Sequence, residues 1–584
     1  MKKLLIFICL IALISIANAQ FENPKIVNIK AVAVTSGENP VGVVINITVI
    51  VTPGDGRVFV STIPYTEIDM QGSAQLAALT ACDLLGIDFL KHDFFYIIEA
   101  DAPIVGGPSA GAVMTIATIA ALKDLEINKD VYMSGMIYPD GFIGPVGGLN
   151  YKIEAAAKNG GKIFLIPKGQ RIIYVEEKKV RRIGFINIIT TEIKRVDLVE
   201  FGRKLGINVY EVETINDALR FYTGYEIKKP IPSFNITEYS PILKKLAEEM
   251  KRTINLAEVR NERVKSLIRE AEYYYNKGLY YTATSRYFEA KILMRYEQYK
   301  ETIKTAKDFD REVRYILDEI SRMKNELRKC EIGIESFQLF AAAQERIGEA
   351  ERLLEEAKTA KSEEEALYYL AYARERVESA KLWLSLLSEI KIDYKLNPEE
   401  IKKRAEFYFS QARSMFVYAS SLAGESTLLN QAYDSIRLSR ILLQDDLYAG
   451  ACVVAVDAIV QSSLAIELRY GSIDVRDSEE CAKLAISEIK NTIIPILPVA
   501  YYEFAQTSRD NVAKIMYYKL SERLAKLLGV MAKLGTEKEL IRVKFKMPVV
   551  AITKYPETYV TPGFSITLAI LALLVSHVII RKKI

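Results

Sequence analysis

Histidine is nearly absent from this chain, with two in 584 residues, His92 and His577. A serine hydrolase of the α/β class needs an imidazole after its serine in chain order, and His577 lies in a hydrophobic C-terminal tail. Cysteine is also scarce. Cys9 falls in an N-terminal apolar run, while Cys82, Cys330, Cys452 and Cys481 stand far apart without CxxC spacing. That spacing excludes a cysteine metal site and a dense disulfide framework; a single Cys452–Cys481 bridge and free buried thiols both stay open. A formal net charge of +4 is too small to mark a nucleic-acid surface. No G-x-x-x-x-G-K-[ST] phosphate loop occurs, so ATP-driven work by this chain is not expected. Nothing in the sequence asks for a metal or an organic cofactor.

Two glycine-rich signatures are present instead. Gly106-Gly-Pro-Ser-Ala-Gly-Ala112 opens an apolar helical run from Val113 to Leu122. Ser109 then lies at a helix N-terminus, where free backbone N–H groups bind an oxyanion. Gly144-Pro-Val-Gly-Gly-Leu-Asn-Tyr-Lys-Ile153 opens a second helix, Asn150 to Asn159, and carries Lys152 in its first turn. Gly107-Pro-Ser-Ala-Gly111 also fits a nucleophile elbow, but the histidine that elbow requires is missing. A His92-Asp93 pair serving Ser109 in another order stays open. Lysine is the remaining base, provided that burial lowers its pKa until it is neutral near pH 7.

With these residues the chain resembles the Lon-type serine/lysine peptidases over about residues 27–225. The matching segments follow one another as Val51-Thr-Pro-Gly-Asp-Gly56, Gln71-Gly-Ser-Ala-Gln75, Gly107-Pro-Ser-Ala-Gly111, Val131-Tyr-Met-Ser-Gly135 and Gly147-Gly-Leu-Asn-Tyr-Lys152. The resemblance implies an α+β proteolytic domain with Ser109 as nucleophile and Lys152 as general base. Ser134 stands where the family usually has a threonine that hydrogen-bonds the lysine. The backbone of Ala110 is the expected oxyanion donor, with Gly107 and Pro108 shaping the loop. A homo-oligomeric ring, often a hexamer, and protein or peptide substrates are also implied. Two positions depart from the family pattern: Gly106 replaces a frequent aspartate, and Met136 replaces a frequent acidic residue. Many relatives carry an ATPase module whose phosphate loop this chain lacks.

Lys2-Lys3, the apolar run from Leu4 to Ile16 and Ala17-Asn-Ala19 have the form of a secretory signal over 1–19. Residues 564–580 carry no charge and are followed by Arg581-Lys-Lys583. They would make about 25 Å of helix, enough for a single membrane span with 581–584 cytoplasmic. The expected setting is a single-pass protein of the cell membrane with its bulk on the extracytoplasmic side. Asn46-Ile-Thr48 and Asn235-Ile-Thr237 are sequons, Asn46 in a strand and the poorer acceptor.

Between these ends, strands and helices alternate over 20–225. The runs 41–51 and 57–63 are joined by a hairpin-like turn at Thr52-Pro-Gly-Asp-Gly56, and 171–193 reads as an added charged hairpin with a solvated face. A proline-containing linker, 226–240, leads into helical regions at 241–393 and 394–545, divided near Asp393, and then a juxtamembrane linker, 546–563. Ser362-Glu-Glu-Glu365 and Asn397-Pro-Glu-Glu400 are helix starts. Long helices are expected at 241–276, 280–308, 447–467 and 499–534, among others. Gly278, Tyr281 and Ala290 match three tetratricopeptide-repeat positions, although tyrosines so placed are more often core. The expected fold class is an α+β proteolytic domain, a large all-α region and a C-terminal transmembrane helix. Two other functional readings stand beside the peptidase: a silent scaffold whose helical region binds or assembles, and a self-processing protein.

Overall fold

The computed structural model describes residues 24–545, apart from short segments at 36–39, 67, 106, 184–185, 257–258 and 472–473 and parts of 229–239 and 535–544. The signal at 1–19, the span at 564–580, its flanks and His577 lie outside the described residues.

The first half of the α+β domain is a four-stranded sheet in the order β1-β2-β4-β3, formed by β1 (Lys25–Val34), β2 (Gly42–Pro53), β3 (Val58–Thr66) and β4 (His92–Val105). Here the structure corrects the hairpin reading of 52–56. β2 and β3 do not pair; β4 lies between them, antiparallel to β2 and parallel to β3. The connection from β3 to β4 is a crossover through helix α1 (Ile68–Leu85), as a parallel pair requires. The Asp93 carboxylate accepts from the N–H groups of Asp55 and Arg57, both at 2.9 Å, and ties the 52–56 turn across the start of β4.

From β4 the chain enters a single 3-10 turn, Pro108–Ala110, and then α2 (Gly111–Lys123). Every α2 residue from Gly111 to Leu122 is buried, so α2 has no solvated face and is the central helix of the domain. The short strands β5 (Val131–Met133), β6 (Met136–Ile137) and β7 (Ile143–Gly144) lead to α3 (Leu149–Lys158). Next come β8 (Ile163–Pro167), the hairpin β9 (Ile172–Ile183) and β10 (Ile186–Asp197), α4 (Leu198–Lys204), β11 (Asn208–Val212) and α5 (Ile215–Thr223). β11, β8 and β5 form a second, parallel sheet. The side chains of 177–191, among them Glu177, Lys178, Lys179, Arg181 and Arg182, lie outside the described residues.

Twelve helices follow among the described residues, from α6 (Ser240–Arg252) to α17 (Asn511–Leu534). Two continuous runs read from the sequence are each two helices. The first divides into α6 and α7 (Glu262–Asn276), where Asn261 caps α7 by accepting from the N–H of Arg263. The second divides into α16 (Ile496–Thr507) and α17, where Asp510 accepts from the N–H of Ala513. In both places a short polar side chain takes an orphan helix donor and starts a new element. Helices α7 and α8 (Tyr280–Thr302) pack as a hairpin with Tyr281 and Ala290 buried. α9 (Ala306–Arg328), α10 (Phe337–Thr359), α11 (Glu363–Ser385), α12 (Pro398–Ala423), α13 (Thr427–Gln444), α14 (Tyr448–Tyr470) and α15 (Val475–Ile489) complete the region.

One hydrophobic core runs from Leu243 to Met531 and draws on both sides of residue 393. Asp393 is itself buried, and its carboxylate accepts from the N–H groups of Glu335 and Ser336. The two helical regions therefore share one core. α14 is the one helix among the described residues long and apolar enough to cross a membrane, and 94% of its apolar window is buried inside the protein. It is a core helix. Cys82, Cys330, Cys452 and Cys481 form no disulfide among the described residues, so the Cys452–Cys481 bridge is not made. Asn46 sits mid-strand in β2, opposite Lys30 and Glu99.

The α+β domain is joined to the helices by a common core. Ala412, Met415 and Tyr418 of α12, Leu429 and Ile436 of α13, and Ile459 and Ile466 of α14 belong to the same cluster as the α1, α2 and β4 residues. Polar contacts edge this interface. Arg404 forks onto Asp88, Arg523 pairs with Asp83, and Gln75 donates to Gln411 at 3.2 Å. Lys519 is buried between Asp140, in the β6–β7 loop, and Glu467 at 2.9 Å. These two carboxylates hold its pKa well above the ordinary lysine value against the cost of burial.

Candidate active site

Gly107 has φ +92°, a backbone conformation open to glycine, and turns the chain out of β4 into the 3-10 turn. Pro108 stands in the first turn, where its missing N–H costs nothing. Ser109 follows, half-buried, and then α2 begins. The turn is held at three points. The Gly107 N–H donates to Asp69 at 2.9 Å, the Ser73 hydroxyl to the Pro108 carbonyl at 3.4 Å, and the Gly135 N–H to the Ser109 carbonyl at 3.0 Å. Gly111 permits this closeness: a Cβ there would lie 2.7 Å from Ile137 Cγ2 and 2.7 Å from Ser73 Oγ.

Lys152 comes from the first turn of α3, after Gly148 at φ +66°. The side chain is only 4% exposed. Its Nζ donates to Ser134 Oγ at 3.1 Å, and Ser134 Oγ donates in turn to the Ser109 carbonyl at 3.3 Å. Burial alone pulls the Lys152 pKa down, from 10.5 to about 8. Among the described residues no acid is hydrogen-bonded to the amine, and Met136 is a buried apolar side chain of β6. A lysine in this setting is a usable base in weakly alkaline water.

The structure thus brings Ser109, Ser134 and Lys152 into one cluster with Gly107, Pro108 and Ala110. No hydrogen bond joins the Ser109 hydroxyl directly to Lys152 among the described residues; Ser134 links Lys152 to the Ser109 backbone carbonyl only. The Gly111 and Ala112 N–H groups are committed to the Pro108 and Gly135 carbonyls. Ala110, at the N-cap of α2, carries the next donor in line. His92 does not join the cluster. It opens β4, and Ser109 follows the far end of that strand, roughly 40 Å of extended chain away. The Asp93 carboxylate is engaged by the 52–56 turn, which removes the His92-Asp93 alternative.

Sequence reasoning missed Asp69 as a support of the serine loop. Its only local signal was its place just before the Gln71-Gly-Ser-Ala-Gln75 segment. Among the described residues no group of three or more His, Cys, Asp or Glu side chains could hold a metal ion.

Residues 18–187 match the family model of the Lon protease (S16) C-terminal proteolytic domain. The Lon protease of Phenylobacterium zucineum (strain HLK1) is 37% identical over 126 residues, covering 20% of this chain and 16% of that protein. The archaeal Lon protease of Pyrococcus abyssi (strain GE5 / Orsay) is 30% identical over 169 residues, covering 28% of this chain and 17% of that protein. That of Halobacterium salinarum (strain ATCC 700922 / JCM 11081 / NRC-1) is 31% identical over 136 residues, 23% of this chain and 18% of that protein. The chain spans less than a fifth of the length of each of these relatives. The helices beyond residue 240 fall outside the family match. Over residues 18–187 the chain carries a Lon protease (S16) C-terminal proteolytic domain.

Proposed function

We propose that this chain is a serine endopeptidase working through Ser109 and Lys152, without ATP, on loosely folded proteins or peptides outside the cytoplasm. One observation carries the chemistry. A lysine amine buried to 4% exposure, with its pKa drawn down to about 8, is oriented by Ser134, which also holds the Ser109 backbone.

In this mechanism neutral Lys152 takes the Ser109 proton as Oγ attacks the scissile carbonyl. The Ala110 N–H stabilises the oxyanion, the protonated lysine returns its proton to the leaving amine, and an acyl-enzyme remains. Lys152 then activates water to release the acyl group. The basic flank Arg581-Lys-Lys583 and the uncharged run 564–580 support a membrane anchor, the 1–19 segment supports export, and the missing phosphate loop fits a compartment poor in ATP. Assembly into a homo-oligomeric ring is part of the same reading.

Labelling of membranes with a serine-reactive fluorophosphonate tests it. Wild type should label equally with and without ATP, and Ser109→Ala should not label. Absence of labelling together with absence of casein or peptide cleavage would reject the enzyme. Equal masses of wild type and Lys152→Ala after expression are expected if the substrate is another protein.

A further inference from the structure

Helix α12 belongs to the helical region, yet it lies along α1 in the opposite chain direction. Arg404 meets Asp88 beyond the C-terminus of α1, Gln411 meets Gln75, and Tyr418 meets Gly72 in its first turns. The last contact is the closest. A Cβ on Gly72 would lie 2.5 Å from Tyr418 Cδ2 and 2.8 Å from Cγ, so the ring rests directly on the α1 backbone where only glycine fits. Tyr418 is 2% exposed and belongs to the core cluster that holds α2. Its neighbours on α1 are the two groups that fasten the serine loop: Ser73, whose hydroxyl holds the Pro108 carbonyl, and Asp69, which accepts from the Gly107 N–H. Burial keeps the Tyr418 phenol protonated, the nearby Asp69 charge acts in the same direction and the Ser73 side chain opposes it.

We propose that Tyr418 is a positioning residue for Ser109: seated on Gly72, it fixes the start of α1 and, through Asp69 and Ser73, the loop that carries the nucleophile. The inference rests on Ser109 being that nucleophile. It makes the helical region part of the peptidase's working geometry, in addition to any role as a tether. Loss of the ring leaves α1 free to shift at its first turns, and small misplacements of a reacting group cost rate more than binding.

The test uses the full-length chain in detergent and compares wild type with Tyr418→Ala, Tyr418→Phe and Gln411→Ala. Tyr418→Ala should slow fluorophosphonate labelling of Ser109 and kcat for a peptide by about 10- to 100-fold. KM and the pH midpoint near 8 should stay in place, since neither the substrate surface nor Lys152 is altered. Tyr418→Phe, which keeps the ring over Gly72, should restore most of the rate. Gln411→Ala, two turns away on the same interface, should leave it near wild type. A Tyr418→Ala protein labelling at the wild-type rate, or an equal loss in Gln411→Ala, overturns the proposal. Should Tyr418→Ala not fold, Gly72→Ala strains the same contact from the other side and should slow labelling likewise; an unchanged rate again overturns it. Wild type that does not label, or label that persists in Ser109→Ala, defeats the Ser/Lys reading itself and this inference with it.

Discussion

Lys152 couples chemistry to stability through one buried amine. Its folded pKa, about 8, lies below the ordinary 10.5. Above 10.5 the amine is neutral in both folded and unfolded chains, and burial carries no penalty. As the pH falls toward 8 the unfolded chain binds the proton first, and the fold loses stability at about 1.4 kcal/mol per pH unit. Below 8 the loss is constant, at about 3 kcal/mol. Lys152→Met should therefore abolish serine labelling while raising the urea midpoint at pH 7, with the gain vanishing near pH 10.5. Labelling of wild type should rise with pH through about 8 and then level, as the neutral amine accumulates. Ser134→Ala should slow acylation by about tenfold or more by releasing the lysine, and Ser134→Thr should retain it. The placement of Ser109 and Lys152 at helix starts was legible because each sits in a glycine loop that opens a helix. The Asp69 support was not, because it reaches the loop from an element 38 positions upstream.

At the level of elements, α2 shows how packing overrides local preference. Replacing a helical glycine by alanine ordinarily stabilises by about 1 kcal/mol. At Gly111 the added methyl meets Ile137 and Ser73, each at 2.7 Å. Gly111→Ala should instead destabilise by about 1–3 kcal/mol and slow Ser109 labelling by displacing Ser73. Thermal denaturation and labelling rates of the purified chain read both effects. Helix starts at Ser362 and Asn397 were legible from the sequence, because a cap acts within three residues. The breaks between α6 and α7 and between α16 and α17 were less so: Asn261 and Asp510 each start the second helix of the pair through a single side chain that accepts one backbone N–H. The 52–56 segment had the composition of a hairpin turn, yet β4, arriving after α1, takes the place between β2 and β3.

For the whole molecule, the shared core ties the α+β domain to the helices. Residues 20–225 expressed alone would expose the α1 face that Met415, Tyr418 and Ile459 cover. That fragment should be insoluble or bind a hydrophobic dye strongly, whereas the chain through 545 should not; a soluble, monodisperse fragment with wild-type labelling would contradict this. Lys519→Met should destabilise the chain by about 3–5 kcal/mol, since it leaves Asp140 and Glu467 buried without their cation.

By itself the sequence determined the two glycine loops that carry Ser109 and Lys152, the helix caps and the change from mixed to all-α structure. Each of these is set by residues close together in the chain. Tertiary structure alone decided the strand order, the burial of α14 as a core helix, and the seat of α12 on α1. Those depend on partners such as Arg404 and Asp88, 316 positions apart, whose meeting leaves no local signature because packing complementarity exists only after the chain has folded.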